Sequence, residues 1–291
     1  MGKIVFVLVS LFVCQFSFTI HAQQFTYLNQ TCRSNYGEYH EDNLNLVFDT
    51  LISKASSTKF YNVTFGENKY DVYGIFQCRY DVSLDVCSAC VKDASLKIKE
   101  VCPLSTSAIV WYDECMLRYS NKNIFSRGSQ SPEAVHSSNT TITNYAEFAP
   151  ILEDAMKTII LKAAAELPHF ASNTTKFTSS QYIYSFAQCT PDISVTKCKH
   201  CLEGALSTSH NRCCKASIYV TVLKPSCVLR YDTTGPFLNG HQSPDDPSSA
   251  NLATSAGQRK KTSLQPATIG AIVAYGNSMD IFSNGDDNSK Q

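Results

Sequence analysis

The cysteines of this 291-residue chain recur at a nearly constant interval. The residues around them recur as well, since Leu117-Arg118-Tyr119 matches Leu229-Arg230-Tyr231. Such internal similarity predicts two homologous domains in tandem. Five cysteines have a counterpart 111 or 112 residues further on: Cys78 with Cys189, Cys87 with Cys198, Cys90 with Cys201, Cys102 with Cys213, and Cys115 with Cys227.

The repeat divides the chain into segments of different composition. Residues 126–143 are rich in Ser, Thr and Asn, so we expect a solvated linker with little packed structure. The C-terminal residues are rich in Gly, Pro, Ser, Asn and Asp, which predicts a disordered tail. The predicted organisation is a signal peptide at 1–22, a first domain at 25–125, a linker at 126–143, a second domain at 144–238 and a tail at 239–291.

The N-terminal segment predicts export. Lys3 precedes the uncharged apolar run Ile4–Ile20, and Ala22 offers a small residue at a cleavage position. The alternative is an uncleaved signal anchor, but the run is at or below the roughly 20 apolar residues that span a bilayer. Cleavage would remove Cys14 and leave twelve of the thirteen cysteines. Glycosylation is predicted at four Asn-x-Thr sequons, which begin at Asn29, Asn62, Asn139 and Asn173.

Hydrophobic periodicity predicts an α+β fold for each domain. Leu44, Val47, Phe48, Leu51 and Ile52 lie on one face of a helix. A second helix is expected to carry Cys87 and Cys90 and to continue to Ile98, and domain two has an equivalent of the first helix that ends before Pro168. We therefore expect an antiparallel sheet of about five strands with two helices on one face. The segments that read as strands in domain one are 60–64, 70–79, 108–113 and 115–120.

The composition and motifs give no indication of an enzyme. Lys and Arg number 25, as do Asp and Glu, so the zero net charge does not suggest a nucleic-acid partner. Motifs for serine hydrolases, zinc proteases and phosphate-binding loops are lacking. The adjacent acids Asp113 and Glu114 would point to opposite faces of a strand, so paired-carboxylate catalysis is not expected. We predict no catalytic residue and no cofactor.

The cysteine pairs at a two-residue spacing allow three interpretations. Cys87 with Cys90, and Cys198 with Cys201, have the spacing of zinc ligands, and His200 lies beside the second pair. They could also be redox pairs, although the sequence lacks the thioredoxin-like setting. An exported chain with an even number of mature cysteines favours disulfides, and so we predict no metal site.

The doubled Cys-x8-Cys-x2-Cys motif carries a family resemblance. It occurs at Cys78 and at Cys189, and in domain one it is followed by the strand 108–120. The motif resembles the plant ginkbilobin-homologous, or stress-antifungal, domain. The tandem arrangement, over roughly residues 27–238, is similar to cysteine-rich repeat secretory proteins and to the ectodomains of cysteine-rich receptor-like kinases.

The resemblance implies a disulfide pattern that the sequence alone leaves open. Domain two has no counterpart of Cys32 and has one extra cysteine, at 213 or 214, so the pairing of Cys213 and Cys214 stays open. The implied bridges are Cys32 to Cys102, Cys78 to Cys87, Cys90 to Cys115, Cys189 to Cys198, and Cys201 to Cys227.

Single-domain members of the family bind mannose, and the resemblance implies where their site would lie. In domain one the matching positions hold Arg33, Ile109 and Ser120, and in domain two they hold Thr221 and Asp232. Only Asp232 keeps an acid. A sugar site fails when its polar partners are removed, so we expect mannose binding by this constellation to be lost.

The resemblance implies a secreted, non-catalytic binding module of the apoplast that acts in defence or stress signalling. Its partner would be an extracellular protein, such as a related receptor ectodomain, or a cell-wall glycan. Two alternatives are a mannose-binding antifungal lectin and a truncated or spliced receptor-like kinase, because residues 269–274 resemble the start of a membrane helix that stops short. Trp111 and Tyr112 lie on opposite sheet faces, and one of them could be an exposed contact.

Overall fold

The computed structural model describes residues 25–34, 40–165, 167–211, 214 and 216–237. The expected signal peptide and C-terminal tail lie outside these residues, as does Cys213. No helix within the described residues is long and apolar enough to cross a membrane.

Each domain contributes two helices, whose apolar faces explain where they form. In the first helix Leu44, Val47, Phe48 and Leu51 are buried, as their helical spacing predicts. The second helix begins after Ser83, whose Oγ accepts a hydrogen bond from the Val86 amide at 3.3 Å and so caps the first turn. The helices are α1 (Glu41–Ala55), α2 (Leu84–Val101), α3 (Tyr145–Ala165) and α4 (Val195–Asn211).

Two five-stranded antiparallel sheets have the same strand order. The first sheet is ordered β1-β4-β5-β3-β2 and the second β6-β9-β10-β8-β7, so each strand of one sheet has a counterpart in the other. The predicted α+β fold, with two helices over an antiparallel sheet, is confirmed. The strands are β1 (Tyr27–Arg33), β2 (Phe60–Phe65), β3 (Val72–Cys78), β4 (Ser107–Tyr112), β5 (Cys115–Ser120), β6 (Ala134–Ser137), β7 (Phe170–Lys176), β8 (Tyr182–Cys189), β9 (Tyr219–Lys224) and β10 (Cys227–Asp232).

The helices of each domain cover one sheet face and enclose its core. A tyrosine closes each core in the same way. The Tyr119 hydroxyl donates to the Ser105 carbonyl at 2.9 Å, and the Tyr231 hydroxyl donates to the Ser217 carbonyl at 2.9 Å. Because Tyr119 and Tyr231 lie at matching positions of β5 and β10, the central strands of the two sheets superpose by register as well as by order.

The opposite sheet faces pack against each other between the domains. Ile109, Trp111 and Met116 of the first sheet form a buried cluster with Leu223 of the second. Trp111 is therefore only 1% exposed, while Tyr112, on the other face, is 6% exposed in the core under the helices. The expectation that one of these two rings is exposed is wrong, because the second domain covers the face that the helices leave open.

Two glutamines at matching positions join the domains reciprocally. Gln77 Nε2 donates to the Cys189 carbonyl at 2.7 Å, and Gln188 Nε2 donates to the Cys78 carbonyl at 2.9 Å. Gln188 also accepts a hydrogen bond from the Tyr80 amide at 3.1 Å. Both glutamines are buried, so these bonds and the apolar cluster fix the register of one sheet on the other.

The segment 126–143 is not free of packed structure. Its residues 134–137 form β6, which pairs with β9 from Ala134 opposite Leu223 to Ser137 opposite Val220. The expectation of a solvated linker is wrong for these four residues. β6 occupies the edge position that β1 has in the first sheet. A polar segment can form this strand because its side chains are only partly buried there.

Five disulfides join pairs of described residues and connect the strands and helices. They are the pairs that the resemblance implies, namely Cys32–Cys102, Cys78–Cys87, Cys90–Cys115, Cys189–Cys198 and Cys201–Cys227.

The pairing of the strands shows which cysteine of domain two corresponds to Cys102, which the sequence repeat matched with Cys213. Cys32 lies opposite Ala108, and Ser137 lies opposite Val220, which is the counterpart of Ala108. Cys214 Sγ is 3.2 Å from Ser137 Oγ, so Cys214 and not Cys213 takes the place of Cys102. The repeat has gained one residue between α4 and β9. Cys214 is disulfide-bonded, while Cys213 lies outside the described residues.

Candidate functional site

The positions matched to a sugar site lie on the sheet face opposite the helices, once in each domain. The strand register sets their equivalence: Ile109 of β4 corresponds to Thr221 of β9, and Ser120 of β5 corresponds to Asp232 of β10. Between them on the central strand, Arg118 corresponds to Arg230. The same fold therefore offers two sites of equal position and different chemistry.

The domain-two position is occupied by bonds within the chain. Asp232 is only 8% exposed, and its Oδ1 accepts hydrogen bonds from the Thr234 amide at 2.8 Å and from the Thr234 hydroxyl at 2.6 Å. Its Oδ2 lies 3.5 Å from Arg230 Nη2. Thr221 is buried at 4% exposure. These contacts leave Asp232, the one acid retained at this position, little capacity to bind a ligand.

A carboxylate of domain one completes this arrangement. Asp113, in the turn between β4 and β5, forms ion pairs with Arg79 Nη1 at 2.7 Å and with Arg230 Nη1. Arg79 also pairs with Asp81 at 2.6 Å. Burial opposes the charge of Arg79, but the two neighbouring carboxylates raise the pKa of Arg79 above its ordinary value. Asp113 therefore bridges the domains, a role that the sequence did not predict.

Glu114 stands beside this network without joining it. One of its carboxylate oxygens accepts a hydrogen bond from the Thr26 amide at 3.2 Å. Burial, together with the neighbouring charge of Asp113, raises the pKa of Glu114 above its ordinary value. The two adjacent acids both line a cavity of about 50 Å³ between the domains, but they have separate structural partners: Asp113 pairs with arginines, and Glu114 accepts the Thr26 amide.

The domain-one position is open and forms a cleft of about 200 Å³. Lys122, Ile124 and Pro132 close its sides. Because alternate residues of a strand share one face, β1, β4 and β5 place two rows of side chains in it. The rows are Thr31, Ile109 and Arg118, and next to them Arg33, Ser107 and Ser120.

The cleft is lined by cations and by no acid. Arg118 is half-buried, whereas Arg33 and Lys122 are exposed at its rim. No hydrogen bond or ion pair joins the Arg118 side chain to another described residue. Burial lowers the pKa of Arg118 to about 10; Asp192 opposes this change, and the positive charge of Arg33 adds to it. The cleft therefore holds a partly desolvated guanidinium that has no hydrogen bond or ion pair with the described residues and only the more distant charge of Asp192 to offset it.

The cysteines of the two-residue motifs are not available as metal ligands in this structure. Cys87, Cys90, Cys198 and Cys201 are each in a disulfide and are fully buried. Among the described residues, no group of three His, Cys, Asp or Glu side chains is arranged to hold a metal ion.

The four predicted glycosylation sites differ in their surroundings. Asn139, between β6 and α3, is exposed, while Asn29, Asn62 and Asn173 are half-buried on edge strands. The Asn173 side-chain amide donates to Thr175 Oγ1 at 3.1 Å, within its own sequon. Glycosylation stays a prediction at all four positions, and Asn139 is the most accessible of them.

A family model described as salt stress response/antifungal matches residues 28–122 and 135–234 of the chain, and several proteins are similar to it. Cysteine-rich receptor-like protein kinase 26 of Arabidopsis thaliana is 34% identical over 227 residues, which cover 74% of this chain and 33% of the kinase. The putative cysteine-rich repeat secretory protein 7 of the same plant is 33% identical over 199 residues, which cover 67% of this chain and 70% of that protein.

One of the similar solved structures is the tandem DUF26 ectodomain of the Arabidopsis thaliana cysteine-rich receptor-like protein PDLP8. It matches with a TM-score of 0.63 at 21% identity, over 73% of this chain and 100% of the other. At that identity the match shows a shared fold. The chain spans about a third of the length of the receptor-like kinases that it matches.

Proposed function

The chain belongs to the salt stress response/antifungal family, and on that premise we propose that it is a secreted, non-catalytic binding module acting outside the plant cell. Its setting is the apoplast, and its role lies in defence or stress signalling at the cell surface. Relatives described as cysteine-rich repeat secretory proteins support this assignment.

One observation carries the proposal. Several buried polar groups at the contact between the domains hold the fold together, while the domain-one cleft stays open. Asp113 pairs with two arginines, the buried Gln77 and Gln188 join the domains, and ten of the cysteines form bridges. A stapled scaffold with a lined cleft suits recognition, because binding needs groups that are held in place and accessible.

Two classes of partner fit such a module. One is an extracellular protein such as a related receptor ectodomain, and the other is a cell-wall glycan. Neutral mannose is not favoured as the glycan, because Ile109 and Ser120 lack the charges of the sugar-binding constellation and Asp232 is bonded within the chain. We expect mannan to give no signal above that of a control.

The proposal is tested by presenting the secreted, folded protein to a plant and fungal glycan array and to a panel of cysteine-rich receptor ectodomains. We expect saturable binding to at least one member, with the ligand recovered chemically unchanged. A reduced and alkylated sample serves as the control, because it keeps the sequence and loses the disulfide scaffold. Release of a reaction product from any ligand, or no binding by a folded sample, would contradict the proposal.

A further inference from the structure

We propose that the domain-one cleft formed by β1, β4 and β5 binds the carboxylate of an acidic sugar, such as a uronate unit of a cell-wall polysaccharide. The inference rests on the proposed binding function and names the ligand class for one site of the module. Arg118 would hold the carboxylate, and Arg33 and Lys122 would add positive charge at the rim.

The charges of the cleft call for an anion. Three cationic side chains line it, and no acidic side chain does. Asp192 acts electrostatically on Arg118, but it does not line the cleft, and one of its oxygens accepts a hydrogen bond from the Ser126 amide. A half-buried arginine without an ion pair costs free energy, which a bound carboxylate would offset. The equivalent Arg230 has no such need, because Asp113 and Asp232 neutralise it.

The geometry of an arginine suits a carboxylate. A guanidinium presents its N–H groups in a planar fork that matches the two oxygens of a carboxylate, and such charge-assisted bonds are about twice as strong as neutral ones. Arg118 lies on the central strand β5, opposite Ile109 of β4 and Ile75 of β3, so its backbone is fixed on both sides. A site on a paired central strand is more rigid than one on a loop.

The remaining lining suits a sugar ring better than an isolated inorganic anion. Hydroxyl groups of Thr31, Ser107 and Ser120 can exchange hydrogen bonds with ring hydroxyls. Ile109 and Ile124 offer an apolar surface for the C–H face of a ring. The volume of about 200 Å³ is below the range of drug-sized sites, which starts at about 300 Å³, so one sugar unit is the appropriate size.

The test is a calorimetric titration of the folded, deglycosylated protein with a trimer of galacturonate. Its neutral methyl ester and inorganic phosphate are the comparison ligands. We expect the acidic trimer to bind, and Arg118→Gln to weaken binding at least about tenfold through loss of the charged bonds. Arg127→Gln is the matched control, because it removes an exposed arginine that does not line the cleft, and we expect it to leave binding unchanged.

A second measurement keeps the test independent of folding. Arg118→Lys keeps the charge without the planar fork, so we expect weaker binding than wild type and tighter binding than Arg118→Gln. Equal binding of the ester or of phosphate would overturn the assignment of an acidic sugar, as would an Arg118→Gln protein that binds normally. A folded protein that ignores the acidic trimer but binds a receptor ectodomain would overturn this inference and leave the proposed function standing.

Discussion

The two domains share one fold and differ in how they complete the same arginine. In domain two Arg230 is held by Asp113 and Asp232 and lies 4.5 Å from the Phe237 ring. In domain one Arg118 has no such partner and faces an open cleft. After a domain is duplicated, one copy of a residue can stabilise the contact between the domains while the other copy stays accessible to a ligand.

A second contrast concerns the edge of each sheet. Domain one ties β1 to the end of α2 through Cys32 and Cys102, whereas domain two has Ser137 and Cys214 at these positions. The edge strand of domain two is also shorter, with four residues against seven. The edge strand of domain two is therefore held without the covalent link that domain one has at this edge.

The largest expected effect comes from removing the bridge that only domain one has at this edge. The double variant Cys32→Ser/Cys102→Ser opens a loop with a separation of 70 residues and should lower the free energy of unfolding by about 4 kcal/mol. Opening the short Cys189–Cys198 loop, with a separation of 9, should cost about 2.5 kcal/mol. Urea denaturation monitored by fluorescence and by circular dichroism measures the free energy of unfolding of both variants. Equal losses would contradict the expected dependence of disulfide stabilisation on loop length.

Replacing the two reciprocal glutamines should lower the free energy of unfolding by unequal amounts. Gln188→Met leaves the Cys78 carbonyl and the Tyr80 amide unpaired, so we expect a loss of about 2–3 kcal/mol. Gln77→Met leaves only the Cys189 carbonyl unpaired, and we expect about 1–2 kcal/mol. Methionine keeps a similar side-chain length in both. The stability of each variant is measured as its urea midpoint. A lower midpoint for Gln77→Met than for Gln188→Met would show that the number of hydrogen bonds lost does not determine the loss of stability.

The missing bridge of domain two can be built. Ser137 Oγ lies 3.2 Å from Cys214 Sγ, so Ser137→Cys/Cys213→Ser should form a bridge between positions 137 and 214. Relative to Cys213→Ser alone, the new bridge should add about 2 kcal/mol of stability. Non-reducing peptide mapping by mass spectrometry detects the bridge. His136→Cys/Cys213→Ser is the control, since the neighbouring strand residue points to the other face and should form none.

Truncating the two arginines should change the free energy of unfolding in opposite directions. Arg230→Met leaves Asp113 and Asp232 with less compensation, so we expect a loss of about 2 kcal/mol, reduced by partial solvent exposure. Arg118→Met removes a charge that burial disfavours, and we expect a gain of about 1 kcal/mol at neutral pH. Because folding lowers the pKa of Arg118, the cost of its charge is relieved only as the pH rises above about 10. Loss of stability in both variants would contradict the contrast.

The sequence predicted the elements that bury an apolar face. The helical spacing of Leu44 to Ile52 gives α1, and the apolar residues of 60–64 and 115–120 give β2 and β5. It did not predict β1 or β6, because these strands lack the alternating apolar residues that β2 carries at Tyr61, Val63 and Phe65. Their polar residues read as loop, and only the pairing with β4 and β9 makes them strands.

The candidate site depends on which strand residues lie opposite each other, and the sequence alone does not show this pairing. Arg33 and Arg118 come from distant segments, and only the pairing of β1 and β5 on either side of β4 brings them to one cleft. Strand alternation could have placed Arg118 on the face of Met116, away from the core. It could not show that domain two covers Trp111 and stops short of Arg118.

The central claim is that, of the two equivalent positions, the one in domain one is open to a ligand, while Arg230 and Asp232 in domain two are bonded to other residues of the chain. The most direct measurement is the stoichiometry of galacturonate-trimer binding to the folded chain by calorimetry. The account predicts one equivalent for the wild-type protein and none that survives in Arg118→Gln. Two equivalents, or one that persists in Arg118→Gln, would contradict it.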